Sequence, residues 1–214
     1  MSKYKYILWD WNGTLIDDMS ANLVVINNLL AKRGLPILTQ EKYRQIFRFP
    51  IIDFYRDAGF NVTGIDYEKL VVDYQIAYSE QKEKIKLMDN AELVLRTIQR
   101  ASIEQLILSA SSHDAIMEQI INYNIYSYFI SILSLTNAYA YGKMDIAKHW
   151  ILETGIDPNS ILIIGDTLHD YEVATELGCD CLLISKGHQD LQSVRHTFSC
   201  NCISDIIDVL NYVI

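Results

Sequence analysis

No stretch of the 214-residue chain reaches the roughly 18 apolar residues in a row that a bilayer-spanning helix needs, so nothing is expected to cross a membrane. A basic stripe is missing too. Lys and Arg number 18 against 27 Asp and Glu, for a formal net charge of -9, and an acidic surface repels a phosphate backbone. Lys82, Lys84 and Lys86 are interleaved with Glu83 and read as a solvated helix face, so no nucleic-acid partner is expected. The lysines and short apolar stretch near the start are cut off by Asp10, with no small-residue cleavage site after it, and a cytoplasmic location is the expectation. Cysteine is sparse. Cys179, Cys181, Cys200 and Cys202 form two C-x-C pairs beside apolar runs, which are read as reduced structural thiols rather than a zinc or disulfide framework. Internal repeats and low-complexity linkers are also absent.

What is present is an ordinary globular composition, half of it hydrophobic. The apolar run from Tyr6 to Asp10, followed by Asn12-Gly13, reads as a buried strand running into a turn. From about Asp18 to Lys86 the spacing is helical, with Leu23, Ile26, Leu29 and Leu30 on one face, a second stretch around Tyr43, Ile46 and Phe47, and a third from Tyr67 to Tyr78. Beyond Met88 strands and helices alternate. Strands are expected at 105–109, 129–133, 161–164 and 181–185 and near Asn201, with helices at 90–100, 113–124, 144–153 and 171–177 and a last one from Ser204. Such alternation predicts an α/β fold, a Rossmann-like parallel sheet with helices on both faces. Residues 1–17 and 88–214 then form the core, and residues 18–87 are an inserted helical domain on two short hinges near 16–18 and 86–90.

Ligands of open α/β sheets bind at the carboxyl ends of the strands. Three expected strands end there on Asp10, Ser109 and Asp166, and Lys143 opens a helix between the last two. One Asp after a strand says little, because Asp is common in turns. The joint pattern says more. Asp10-Trp11-Asn12-Gly13-Thr14-Leu15-Ile16-Asp17 resembles the first motif of the haloacid dehalogenase superfamily. Ser109, Gly142-Lys143 and Gly165-Asp166-Thr167-Leu168-His169-Asp170 are similar to its second, third and fourth motifs, in that order. The helical block sits where that superfamily inserts a helical cap, as in its phosphoglycolate phosphatase and β-phosphoglucomutase-like branch.

The resemblance implies a hydrolase in which Asp10 attacks phosphorus to form an aspartyl phosphate, dividing one difficult hydrolysis into two easier steps. It implies Mg²⁺ held by Asp10, Asp166, Asp170 and the backbone carbonyl of Asn12, a hard-oxygen set suited to that ion. Ser109, Ala110 and Lys143 would bind the phosphoryl group, and Asp10, Asn12 and Lys143 would form the catalytic set. The substrate would be a small phosphorylated metabolite such as phosphoglycolate or a sugar phosphate, and the protein a monomer or homodimer. Arg48, among Phe47, Phe49 and Pro50, is a candidate contact for a second anionic group and shares a helix face with Arg44. Plainer roles stand beside these: Ser109 as a helix cap, Asp170 as a first-turn acid, and both arginines on the surface paired with Glu41 or Asp53.

Asn12 departs from the pattern, because the superfamily's phosphatases carry a second Asp there as general acid and base. An amide does not titrate in this role. Three outcomes stay open: a slow phosphatase for good leaving groups, an acid borrowed from His113, His169 or the cap, or different chemistry of the phosphonate-cleaving or dehalogenating kind. A binding protein whose catalysis has lapsed is the competing class.

Overall fold

The computed structural model describes residues 2–135 and 142–214. In chain order the regular elements are β1 (Tyr6–Trp9), β2 (Ile16–Asp17), α1 (Met19–Lys32), α2 (Gln40–Ile46), α3 (Ile51–Asp57), α4 (Gly64–Ser79), β3 (Lys86–Leu87), α5 (Ala91–Arg100), β4 (Glu104–Ser112) and α6 (His113–Asn122). They continue with β5 (Ser131–Leu135), α7 (Lys143–Thr154), β6 (Ile161–Gly165), α8 (Leu168–Leu177), β7 (Asp180–Ile184), β8 (Asn201–Ile203) and α9 (Leu210–Val213).

Six strands form one sheet in the order β5-β4-β1-β6-β7-β8, every pairing parallel. Parallel strands are covered on both faces, which is why these segments read as unbroken apolar runs. Alternation along β1 shows the two layers. Ile7 and Trp9 pack into the cluster holding Val94 and Ile98 of α5 and Ile116 and Ile120 of α6. Leu8 points to the opposite face, against Ala147 of α7 and Val173 and Ala174 of α8. Because β1 lies between β4 and β6, the chain leaves it in opposite directions on its two sides, and the crevice at its carboxyl end is the binding position of such sheets.

The α/β class and the strand–helix order are those expected from the sequence, with three local differences. β4 runs on to Ser112 through a register irregularity after Leu108, so Ser109 lies inside a strand. α3 had no separate reading. Ile16 and Asp17 pair antiparallel with Leu87 and Lys86 in a two-stranded ribbon at the base of the helical block. Strands of two residues carry no periodicity, which is why the ribbon is silent in the sequence. α1 to α4 have a core of their own, built on Val25, Ile26, Leu29, Leu30, Tyr43, Phe54 and Leu70. Among the described residues no helix is long and apolar enough to cross a membrane.

Candidate active site

Asp10 is the first residue past β1, its backbone N–H still donating to Ile164 O at 2.8 Å. The adjacent strand β6 delivers Asp166 one residue past its end, and α8 places Asp170 in its first turn. Lys143, at the start of α7, is buried and joins these parts. Its Nζ donates to Asp10 Oδ1 at 2.7 Å and to Asp170 Oδ1. The other Asp170 oxygen accepts from the Thr167 N–H at 3.1 Å and the Thr167 hydroxyl at 2.7 Å, a capping box at the head of α8. Asp170 is therefore both a helix-cap acid and a partner of the lysine. Carboxylate oxygens of Asp10, Asp166 and Asp170 lie within 4.8 Å of one another.

Such crowding needs glycine around it. A Cβ on Gly13 or Gly187 would land on the Asp166 carboxylate, and one on Gly165 would land on Asp170. Gly13 also sits at φ +71°, where a side chain is strained. Burial pushes the Asp166 carboxyl up to about 8 and the Asp10 carboxyl up to about 6, the latter in spite of Lys143. Burial acts on Asp170 in the same sense, but Lys143 and Thr167 outweigh it and hold that carboxyl below its usual range. Lys143 would be lowered by burial, yet Asp10 and Asp170 raise it above the ordinary lysine value.

Asn12 leads to a second buried cluster that the sequence did not disclose. Its Oδ1 accepts from Ser111 Oγ at 2.7 Å, and its Nδ2 donates to Asp18 Oδ2 at 2.8 Å and to the Tyr78 hydroxyl at 3.2 Å. Asp18 is fully buried at the N-cap of α1 without capping that helix. It accepts instead from Asn12, the Gly13 N–H (2.9 Å), Asn22 (2.8 Å), Tyr78 (2.8 Å) and His188 Nε2 (3.0 Å). His188 in turn donates its backbone N–H to Asp166 at 2.5 Å, sets Nδ1 2.8 Å from the Tyr43 hydroxyl and stacks on Phe47. Burial would raise Asp18, but His188, Asn12 and Tyr78 bring its carboxyl below the usual value. Burial would lower His188, but Asp18, then Asp166 and Asp10, raise it to about 9. Both shifts favour the charged form of the partner concerned. The only outward signals were an Asp beside the motif's last acid, Asp17, and a His directly after Gly187.

The remaining expected residues are placed as follows. Ser109 is buried, and its Oγ accepts from the Ser111 N–H at 3.1 Å. The cap of α6 belongs to Ser112. Ala110 follows Ser109 on β4 and is exposed. Arg48 is half exposed and pairs with Asp57 at 2.8 Å, and no ion pair or hydrogen bond joins it to the carboxylates. The partner is neither Glu41 nor Asp53. Arg44 docks the segment after β7, donating to Ser185 O and, at 3.4 Å, to Gln189 O. His113 lies against Ser134 Oγ at 3.1 Å and His169 stacks on Phe49. All four cysteines are free thiols.

The donor set fits a hard divalent cation. Carboxylate oxygens of Asp10, Asp166 and Asp170 converge, and Lys143 ion-pairs with Asp10 and Asp170 but not with Asp166. Three carboxylates supplying oxygen donors are the ligand type that a hard divalent cation takes.

The fold and these motifs define a phosphatase-like α/β hydrolase class, and comparison with known proteins gives the family. Residues 7–184 match the haloacid dehalogenase-like hydrolase family, and the chain belongs to it. It is 21% identical over 184 residues to the tyrosine-protein kinase PtkA of Mycobacterium tuberculosis, covering 85% of this chain but only 62% of that protein's length. It is also 21% identical over 188 residues to a phosphoglycolate phosphatase of Synechococcus elongatus, covering 88% and 87% of the two chains. Among solved structures, a haloacid dehalogenase-like hydrolase from Streptococcus pneumoniae superposes with a TM-score of 0.84 at 20% identity over 99% of both chains.

Proposed function

We propose that the protein is a Mg²⁺-dependent phosphatase acting on a small phosphorylated metabolite through an aspartyl phosphate at Asp10. The carrying observation is the convergence of Asp10, Lys143, Asp166 and Asp170 at the carboxyl end of the central strand. Asp10, Asp166 and the Asn12 carbonyl would hold the ion, with Asp170 steadying Lys143 behind them. Bound there, Mg²⁺ would neutralise charge on the phosphoryl oxygens. A carboxylate oxygen of Asp10 attacks phosphorus, and the bond to the leaving oxygen breaks. The Ser109 hydroxyl, the Ala110 N–H and Lys143 Nζ supply donors and positive charge to the equatorial oxygens, so that catalysis consists of alignment and charge neutralisation.

Phosphoglycolate and sugar phosphates are the first substrates to try, in line with the names of two curated relatives. If Arg48 recognises a second anionic group, it exchanges Asp57 for the substrate. The test is phosphate release from a panel of small phosphate esters, with and without Mg²⁺, for wild type and Asp10→Asn. Release that needs Mg²⁺ and is lost in Asp10→Asn supports the reading. Release that survives in Asp10→Asn refutes it, and the absence of release from any ester points to a binding protein.

A further inference from the structure

We infer that this site transfers the phosphoryl group without a proton donor at the leaving oxygen. Its fastest substrates are then those whose leaving group departs as a stable anion, acyl phosphates above all, and the Asp10 phosphoenzyme accumulates during turnover. The inference rests on the phosphatase reading above and sharpens its substrate class.

The hydrogen-bond partners at the site carry it. Position 12 is where the family's acid and base stands, and here both ends of the amide are engaged, by Ser111 on one side and by Asp18 and Tyr78 on the other. The nearest carboxylate that could substitute, Asp18, is fully buried and already accepts from five donors. His188 has both ring nitrogens occupied, by Asp18 and by Tyr43, and is itself buried. Lys143 donates to Asp10 and Asp170. His113 bonds Ser134 and His169 lies under Phe49, and neither hydrogen-bonds Asp10, Asn12 or Lys143. Among the described residues the Asn12 side chain hydrogen-bonds Ser111, Asp18 and Tyr78, and none of these is an unengaged carboxyl or imidazole that could protonate a leaving alkoxide or deprotonate the second-step water in its place.

In the first step an Asp10 oxygen forms a bond to phosphorus while the bond to the leaving oxygen breaks, and that oxygen keeps the electron pair. A carboxylate needs no proton to depart, whereas an alkoxide does. In the second step water attacks the same phosphorus, the bond to Asp10 breaks, and the water's protons pass to the released phosphate and to solvent. Lacking a base, that step is slow for every substrate, so the common intermediate builds up.

The arrangement also predicts that Asn12 does not exchange freely for Asp. An Asp at position 12 would set a carboxylate against Asp18 where the amide now donates at 2.8 Å, and two such acids share one proton. Asn12→Asp alone is therefore a poor repair, while Asn12→Asp with Asp18→Asn reverses the polarity of the same contact.

The experiment compares acetyl phosphate with phosphoglycolate on the full chain with Mg²⁺. It reads kcat/KM together with the intact mass of acid-quenched enzyme. The expected result is a preference for acetyl phosphate of about 10²- to 10⁴-fold, the usual contribution of a general acid. A large fraction of quenched wild type should carry one phosphoryl group, and Asp10→Asn none. The double variant should gain phosphoglycolate turnover and lose the trapped adduct. Equal kcat/KM for the two substrates, or acetyl phosphate consumption with no adduct, overturns the inference and leaves the phosphatase reading standing. Turnover that persists in Asp10→Asn, or silence toward both substrates, overturns both.

Discussion

Two buried charged clusters lie on either side of Asn12, and they were built in different ways. In the first, Lys143 joins Asp10 and Asp170, and all three come from segments that leave the sheet of the α/β core. In the second, Asp18 pairs with His188, and Asn22, Tyr43, Phe47 and Tyr78 of the helical block are among their further partners. The first arranges charge around the expected nucleophile. The second ties the helical block to the loop after β7 and, among the described residues, meets the neighbouring carboxylate of Asp166 through the His188 N–H. A proposed reactive centre and a tether thus share one crevice, and variants should separate them.

The largest effect should come from the nucleophile. Asp10→Asn should lower steady-state phosphate release by about 10⁴-fold or more while the fold, checked by circular dichroism, stays intact. Next comes the tether. Asp18→Ala leaves His188 buried without its counter-ion, and loss of one partner of a buried pair costs about 3–5 kcal/mol, readable as a lower urea midpoint. A midpoint within error of wild type would show that the pair is not structural. If the two clusters are independent, Asp10→Asn and Asp18→Ala should add in stability, and a departure well beyond about 0.5 kcal/mol would join them into one unit.

A pH series sharpens the contrast. Asp166 and Asp10 have folded-state carboxyl values raised to about 8 and about 6, so without metal the folded chain holds protons that the unfolded chain has lost. Their contribution to stability therefore falls as pH rises from about 4 toward 8. Mg²⁺ binds the ionised forms, so the thermal shift produced by Mg²⁺ should be larger at pH 8 than at pH 6. An equal shift at the two pH values would argue against these carboxylates as the ligands. The smallest effect belongs to Tyr43→Phe, which removes one hydrogen bond to His188 and should cost about 0.5–1.5 kcal/mol with little change in phosphoryl transfer.

The first cluster was legible because each of its residues is tied to the end of a strand or the start of a helix, and apolar runs reveal those boundaries. Asp10 and Asp166 could be named from the strand ends alone, while Lys143 and Asp170 were singled out by their resemblance to the superfamily's motifs. Asp18 and His188 could not, because 170 positions separate them and neither stands in a spacing that marks an element. Ser111 was hidden by the strand's continuation past Ser109, where the apolar run had already ended. Arg48 had been placed by its aromatic neighbours, but its guanidinium found Asp57 on the next helix.

Local pattern by itself determined the α/β class, the strand order along the chain, the helical block and the acids that end the strands. Backbone periodicity and burial on both sheet faces leave their mark residue by residue. Tertiary structure alone decided what surrounds Asn12. The partners of its amide come from β4, the start of α1 and α4, and only folding brings them within hydrogen-bond reach. In a buried crevice each polar group must find a partner, so a single amide in place of a carboxylate is matched by charges and donors far away in the chain.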